Sequence, residues 1–131
     1  MEARPGLKRG PGVTAHRSGT AGEDEAVRFL ERAGLKILAR NFRTRLGEVD
    51  IVARDGAVTV FVEVKRRQDT SHGGAAEFVK GSKARRVVAA ARLYAARHGL
   101  TETPIRFDVV AIDTIDGREQ LRHHRGAFDA R

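Results

Sequence analysis

The chain contains no cysteine, so it can form neither a disulfide framework nor a zinc site built on thiolates. Any metal must be held by oxygen or histidine, and oxygen ligands favour Mg²⁺ or Mn²⁺. Long hydrophobic runs are also missing. The longest apolar stretch is residues 87–91, whereas about 20 apolar residues are needed to span a bilayer. With no apolar signal segment at the N-terminus, we expect a cytoplasmic protein without a membrane partner.

Acidic residues are scarce relative to basic ones. The sequence has 17 Asp and Glu against 25 Lys and Arg, which gives a formal net charge of +8. This excess favours a polyanionic partner, because each phosphate that Lys or Arg neutralises releases condensed counterions. Charge alone does not separate a nucleic-acid-binding protein from a ribosome-associated or merely basic one.

The length of 131 residues suits one folded domain. Residues 1–18 carry both early prolines, four basic side chains and one acid, without a hydrophobic period. This pattern predicts a flexible basic N-terminal arm. Residues 19–128 are expected to form the single domain, and residues 129–131 a polar tail.

Apolar periodicity predicts the secondary structure. Thr20 and Glu23 have the spacing of a helix-capping box, and apolar residues follow at helical intervals. Gly34 is placed to end this helix in a left-handed turn, and Asp55-Gly56 is a strong two-residue hairpin signal. The predicted elements are a helix over 21–33, strands over 35–42, 48–54 and 57–66, a mobile loop over 67–76, a helix over 82–98, a strand over 105–113 and a short edge strand over 120–124.

The predicted hairpin gathers acidic residues on one face. If Asp55-Gly56 is the turn, Asp50 lies opposite Phe61 and Glu48 lies opposite Glu63. Asp50 and Glu63 are then diagonal neighbours whose side chains can close around one cation. Two carboxylates on a half-buried face repel each other unless a cation lies between them. We therefore predict a Mg²⁺ or Mn²⁺ site with Asp50 and Glu63 as ligands and Glu48 as an additional acidic candidate.

Lys65 projects from the same predicted face, one pleat beyond Glu63. Cleavage of a phosphodiester needs an ion that orients water and neutralises charge, together with a cation near the scissile phosphate. Lys65 would be that cation. The alternative is that Glu63-Val64-Lys65 is the solvated face of an antiparallel strand, with Lys65 paired to Glu48 or Asp50. The predicted opposition of Glu48 and Glu63 counts against this alternative, because like charges directly across a ladder are destabilising.

Two other groups of polar residues have open interpretations. Glu23 is either the reciprocal half of a capping box or an extra carboxylate that the first helix delivers to the site. The segment between Lys80 and Leu100 has six basic residues and no acid, which predicts a positive, phosphate-facing helix surface. The five histidines are scattered and are expected at the surface. The candidate nucleic-acid-binding residues are Arg40, Lys83, Arg85 and Arg86.

Several short motifs carry a resemblance to a known family. They are Gly22-Glu23-Asp24 with Ala26, Arg40-Asn41, Gly47-Glu48-Val49-Asp50, Asp55-Gly56, Phe61-Val62-Glu63-Val64-Lys65, Lys83 and Arg106-Phe107-Asp108-Val109-Val110. Together these residues resemble the YraN family of small bacterial proteins, also called uncharacterised protein family 0102, and the likeness runs from about residue 19 to 128. That family looks like a branch of the PD-(D/E)xK, restriction-endonuclease-like nucleases related to Holliday-junction resolvases.

The resemblance implies an α/β, restriction-endonuclease-like fold, in which a mixed central β-sheet has flanking helices and an α-β-β-β-α-β core. It implies that Asp50 and Glu63 are metal ligands, that Lys65 is the catalytic lysine and that Glu23 matches a helix-one glutamate of resolvase-like members. The function expected is a Mg²⁺- or Mn²⁺-dependent endonuclease that acts on DNA, including branched or structured DNA. The alternatives are a non-catalytic DNA- or RNA-binding module and a protein with no nucleic-acid partner. Whether two copies pair as a homodimer is left open.

Overall fold

The computed structural model describes residues 17–68 and 81–130. The predicted arm and the predicted loop over 67–76 therefore lie largely outside the described residues, although residues 67 and 68 belong to a strand. The elements are α1 (Arg17–Arg32), β1 (Lys36–Arg43), β2 (Glu48–Asp55), β3 (Val58–Gln68), α2 (Gly81–Arg97), β4 (Ile105–Ile115) and β5 (Arg118–Phe128).

The five strands form one sheet in the order β1-β2-β3-β4-β5. Neighbouring strands are antiparallel except β3 and β4, which are parallel and are connected through α2. The expectation of an α/β protein with a mixed sheet and flanking helices is confirmed. The predicted edge strand over 120–124 is present as β5, but with 11 residues it is longer than predicted. Within the described ranges, no helix is long and apolar enough to cross a bilayer.

Each face of the sheet is covered by one helix. Ala26 and Leu30 of α1 pack with Val60 and Val62 of β3 and with Ile112, all of them buried. The strand residues that alternate with these point to the other face of the sheet, toward α2. There a second buried cluster contains Phe61, Phe107, Val87 and Tyr94. Successive strand residues point to opposite faces, so a β-branched run between two helices buries both sets.

The ends of the helices follow the glycine signals. Gly34 has a φ of 98°, and the Leu35 N–H donates to the Leu30 carbonyl at 3.0 Å, which ends α1 in the predicted left-handed turn. At the other end, α1 begins at Arg17, earlier than predicted. Residues 17 and 18, which were assigned to the predicted arm, belong to α1. The predicted tail also contributes to the fold, because Ala130 packs against the α2 cluster.

The β2–β3 hairpin has a different register from the predicted one. Asp55 pairs with Val58, so the two turn residues are Gly56 and Ala57. Of these two residues, Gly56 has a positive φ, at 62°, and Ala57 does not. A glycine with positive φ at the first turn position is typical of a type II′ turn. The predicted opposition of Glu48 and Glu63 was therefore wrong. The last backbone pair away from the turn is Ile51 with Val62. Asp50 and Glu63 are the next residues on the two strands beyond this pair.

Candidate functional site

A cavity of about 200 Å³ opens where β2 and β3 leave their shared ladder, between α1 and the start of α2. Three of its lining residues are acids, and each comes from a different element. The lining consists of Gly22, Glu23, Asp50, Glu63, Val64, Arg66 and Lys83.

Asp50 and Glu63 form the acidic centre of this cavity. The Val64 N–H donates to Asp50 Oδ2 at 2.8 Å, so the β3 backbone fixes the Asp50 carboxylate above the strand. The Glu63 side chain is only 10% exposed. Burial, followed by the nearby negative charge of Asp50, raises the pKa of Glu63 to about 8. Burial also raises the pKa of Asp50. Two carboxyl groups in this position lack the solvent that normally stabilises their charge.

Lys83 supplies positive charge to the same cavity. Its Nζ lies 3.2 Å from Glu63 Oε2. Burial by itself lowers the pKa of Lys83, but the neighbouring carboxylates of Glu63 and Asp50 raise it overall. The sequence placed Lys83 among the phosphate-facing residues of the helix. The structure instead directs it from the first turn of α2 to the acidic pair, because that turn lies next to β3 at the cavity.

Glu23 reaches the cavity from α1. It lies beyond the first turn of the helix, which contains no acidic residue, so the capping-box interpretation was wrong. The Asn41 side-chain amide donates to Glu23 Oε1 at 2.8 Å. Burial and the nearby charge of Asp50 raise the pKa of Glu23. α1 therefore brings the Glu23 carboxylate into the same cavity as Asp50 and Glu63.

Two neighbouring residues of β1 hold Glu23 in place. Asn41 adopts a left-handed backbone with a φ of 53°, a conformation that asparagine tolerates better than most residues. Arg40 Nη2 lies 2.7 Å from Asp24 Oδ1 and 3.6 Å from Glu23 Oε1. Arg40 was predicted to bind nucleic acid, but here its guanidinium pairs with carboxylates. No role was predicted for Asn41 from the sequence, although it is one of the residues that carry the family resemblance and is a turn-forming residue inside a predicted strand.

The remaining predicted residues lie around the cavity. Lys65 is half-buried on β3, two residues beyond Glu63 and outside the lining. Glu48 pairs with Arg43 of β1 at 3.4 Å. Its carboxylate also raises the pKa of Asp50. Glu48 does not face Glu63. The acid next to Glu63 across the two strands is Asp50, so the like-charge repulsion is present with a different partner from the predicted one. Arg85 and Arg86 lie exposed on α2.

Arg66 is a member of the cavity that sequence analysis missed. Its guanidinium pairs with Glu25 of α1 at 3.2 Å and with Glu119 of β5 at 2.7 Å. A Cβ on Gly22 would lie 3.3 Å from Arg66 Nε, so a glycine lets the helix approach this side chain. Arg66 thereby ties α1 to the sheet beside the acidic pair.

The donors of the cavity suit a hard cation such as Mg²⁺ or Mn²⁺. Across residues 17–68 and 81–130, no three metal-ligating side chains are already grouped around one point. Glu63 Oε1 is nevertheless buried without a hydrogen-bond partner, and the pKa of each of the three acids is raised. Buried oxygen donors with insufficient compensation are what a divalent ion would stabilise.

A second charged network lies at the turn end of the hairpin. Asp108 is fully buried and accepts two hydrogen bonds at 2.9 Å from Arg106 and one at 2.7 Å from His123 Nε2. The His123 side chain is only 9% exposed, so its predicted surface position was wrong. Asp55 extends the network by accepting from Arg106 at 3.0 Å and Arg125 at 3.2 Å. These ion pairs join β2, β4 and β5 away from the cavity.

The fold and the cavity define an α/β protein with an acidic site. The site lies between the two helices, at the end of the β2–β3 pairing. Comparison with known sequences then identifies its family. The chain belongs to the uncharacterised protein family UPF0102, whose family model matches residues 22–112. This confirms the family resemblance seen in the sequence.

Relatives match along nearly the whole chain. A UPF0102 protein of Anaeromyxobacter dehalogenans is 49% identical over 120 residues, which cover 92% of this chain and 90% of the relative. One from Symbiobacterium thermophilum is 46% identical over 117 residues, or 88% of this chain and 99% of the relative. These names assign no activity.

Proposed function

We propose that this protein is a metal-dependent endonuclease that acts on DNA, including branched or structured DNA. One observation carries the proposal: Asp50 and Glu63 lie together with Glu23 in a single cavity, which Lys83 also lines. Burial combined with mutual repulsion raises the pKa of Glu63 to about 8. Perturbed acids that converge in a cavity are typical of functional sites.

Asp50 and Glu63 would hold Mg²⁺ or Mn²⁺, with Glu23 as a further oxygen donor. Such an ion, when bound, supplies a Lewis acid and lowers the pKa of water near a phosphodiester. Arg40 and Asn41 orient Glu23. Lys65 keeps its proposed role as the catalytic cation.

The exposed arginines of α2 are proposed to bind flanking phosphates. Arg85 and Arg86 are exposed on one helix that carries no acidic residue. Contacts of this kind orient the nucleic acid and carry no sequence information. DNA would therefore be held mainly by charge and shape.

A second candidate is a nucleic-acid-binding protein that keeps the nuclease fold without cutting. The ion pair between Lys83 and Glu63 favours it, because the lysine already compensates part of the acidic charge. In this case the cavity would be a structural ion-pair site, and the basic surface would be the functional one.

A cleavage assay with Mg²⁺ or Mn²⁺ on duplex, nicked and four-way-junction DNA tests the two candidates. We expect cutting that is lost in Asp50→Asn and Glu63→Gln and strongly reduced in Lys65→Ala. Glu102→Gln is the matched control, since Glu102 is exposed away from the cavity, and it should cut normally. Binding without cutting on every substrate would favour the second candidate. Metal-dependent cutting that survives both carboxylate changes would refute the site.

A further inference from the structure

Leu46 is an exposed apolar side chain on an otherwise polar turn. It is 60% exposed, and the other large exposed hydrophobic residue in the described part of the chain, Ile105, is 37% exposed. Single exposed leucines are common on protein surfaces. This one differs because its backbone is held rigidly and because its neighbours form a basic cleft.

The turn between β1 and β2 is held by its own hydrogen bonds and by α2. Thr44 Oγ1 accepts the N–H groups of Leu46 and Gly47 at 3.0 Å each, and the Thr44 N–H donates to the Gly47 carbonyl at 2.8 Å. A Cβ on Gly47 would lie 1.9 Å from the Arg86 carbonyl oxygen. Only glycine permits this approach, so the turn is pressed directly against the helix. Leu46 is therefore presented at a fixed position.

A cleft of about 610 Å³ runs between this turn and the second half of α2. Leu46 and Leu93 give it apolar walls, while Arg45 and Arg97 give it positive charge. Arg97 is held over the Phe42 ring at 5.6 Å from its centroid. Within residues 17–68 and 81–130, neither Arg45 nor Arg97 pairs with a carboxylate. The cleft thus combines an apolar surface with two uncompensated guanidinium groups.

We propose that this cleft binds a nucleic-acid strand at a point where its bases are unstacked. Leu46 packs against the unstacked base, and Arg45 and Arg97 bind the adjoining phosphates. Apolar side chains next to arginines are used in this way by proteins that insert into base steps. The net charge of +8 favours a polyanion over an uncharged apolar partner. This inference rests on the proposed action on DNA. Under it, the cleft is the part of the protein that distinguishes branched or forked DNA from plain duplex.

The cleft is within reach of a strand that occupies the acidic cavity. Leu46 precedes Asp50 by four residues, which span at most about 14 Å of extended chain. This corresponds to about four nucleotide steps at roughly 3.4 Å each. A branch point held at Leu46 would therefore lie a few nucleotides from the cavity.

Equilibrium binding in EDTA tests the cleft without involving cleavage. The probes are a blunt duplex and a forked duplex of the same sequence, with 2-aminopurine at the fork. We expect the wild-type protein to prefer the fork and to change the 2-aminopurine fluorescence. Leu46→Ala should weaken fork binding about fivefold or more while leaving duplex binding nearly unchanged. Ile105→Ala is the control for an exposed apolar residue elsewhere and should behave as wild type.

The charged part of the cleft is tested through salt dependence. Arg45→Ala and Arg97→Ala should each lower the slope of log affinity against log salt by roughly 0.7 to 0.9. Arg118→Ala, an exposed arginine in the β4–β5 hairpin, should leave the slope unchanged.

The outcomes separate this inference from the proposed catalysis. Fork preference that depends on Leu46 in a protein that never cuts would uphold the cleft and refute the nuclease. Metal-dependent cutting with unchanged fork preference in Leu46→Ala would refute the cleft alone. Poly-glutamate that displaces forked DNA as readily as unlabelled fork does would also overturn the assignment, in favour of an acidic protein partner.

Discussion

Lys83 Nζ lies 3.2 Å from Glu63 Oε2 and thereby joins the first turn of α2 to the central acid of the cavity. Lys83 and the proposed metal ion would therefore both lie next to the Glu63 carboxylate. Because two cations near one carboxylate repel each other, the ion pair and the metal ion are expected to compete.

Replacement of Lys83 should therefore strengthen metal binding. We expect Lys83→Met to bind Mn²⁺ about three to ten times more tightly than the wild type, since the competing charge is removed and the stem is kept. Isothermal titration in the absence of DNA measures this. Arg85→Met removes the same charge from an exposed position on the same helix and should change the affinity little. Weaker Mn²⁺ binding in Lys83→Met would contradict the competition.

The stability of the metal-free protein should fall as pH rises from about 4.5 to about 8. Glu63 has an ordinary pKa of 4.5 and a pKa of about 8 in the fold. In this window the folded state keeps a proton that the unfolded state has lost, so alkaline conditions favour unfolding. Glu63→Gln, which cannot ionise, should flatten this part of the profile and raise the unfolding midpoint at pH 8.

Chemical denaturation in EDTA at several pH values gives that profile, and Glu102→Gln is the control. Saturating Mn²⁺ should stabilise the wild type at pH 8 more than it stabilises Glu63→Gln, because a ligand of the folded state raises its stability. Equal slopes for the wild type and Glu63→Gln would contradict the raised pKa.

Asn41 should be separable into a backbone role and a side-chain role. Asn41→Gly keeps the left-handed backbone at φ 53° but removes the 2.8 Å hydrogen bond to Glu23. Asn41→Ala removes the same bond and adds backbone strain, about 1 kcal/mol more. Both variants should lose cleavage activity to a similar extent if orienting Glu23 is what matters. Urea denaturation should find Asn41→Ala less stable than Asn41→Gly, and the reverse order would contradict the backbone role.

Asp108 should stabilise the fold above about pH 4 and lose that effect as the pH falls toward 2. Burial alone would raise the pKa of Asp108, but hydrogen bonds from His123, Arg106 and the Gly126 N–H lower it to about 2. The shift from 3.8 corresponds to roughly 2 kcal/mol at neutral pH. Asp108→Asn should lose at least this much stability at pH 7 and much less at pH 2. Acid titration monitored by circular dichroism, with Asp116→Asn as the exposed control, measures the difference.

Much of the fold was predictable because it depends on local periodicity. Alternating apolar residues identified β2 and β3, and Gly34 ended α1 as expected. Asp50 and Glu63 were recognised as a pair from a short segment and a hairpin signal. The predicted β2–β3 register was wrong by two residues, yet both side chains still line one cavity. A shift of two residues leaves each side chain on the same face of the sheet.

The hairpin register itself depended on which residues took the turn. Both Asp55-Gly56 and Gly56-Ala57 are two-residue turns that the sequence permits, and the pairing of Asp55 with Val58 shows that the fold uses the second. The start of α1 was also missed, and with it the fact that Glu23 lies beyond the first turn. A capping pattern shows where a helix can begin but does not prevent an earlier start.

The amino-acid sequence by itself determined the positive charge, the order of helices and strands, and the family to which this chain belongs. Only the tertiary structure decided that Lys83 reaches Glu63, that Asn41 holds Glu23 and that the half-buried His123 contacts Asp108. Each of these contacts joins residues that are 15 to 20 positions apart in the chain. No local pattern encodes them, because they form only when packed elements bring distant side chains together. The lysine of the cavity is the clearest case, since its sequence pattern indicated an outward-facing phosphate contact.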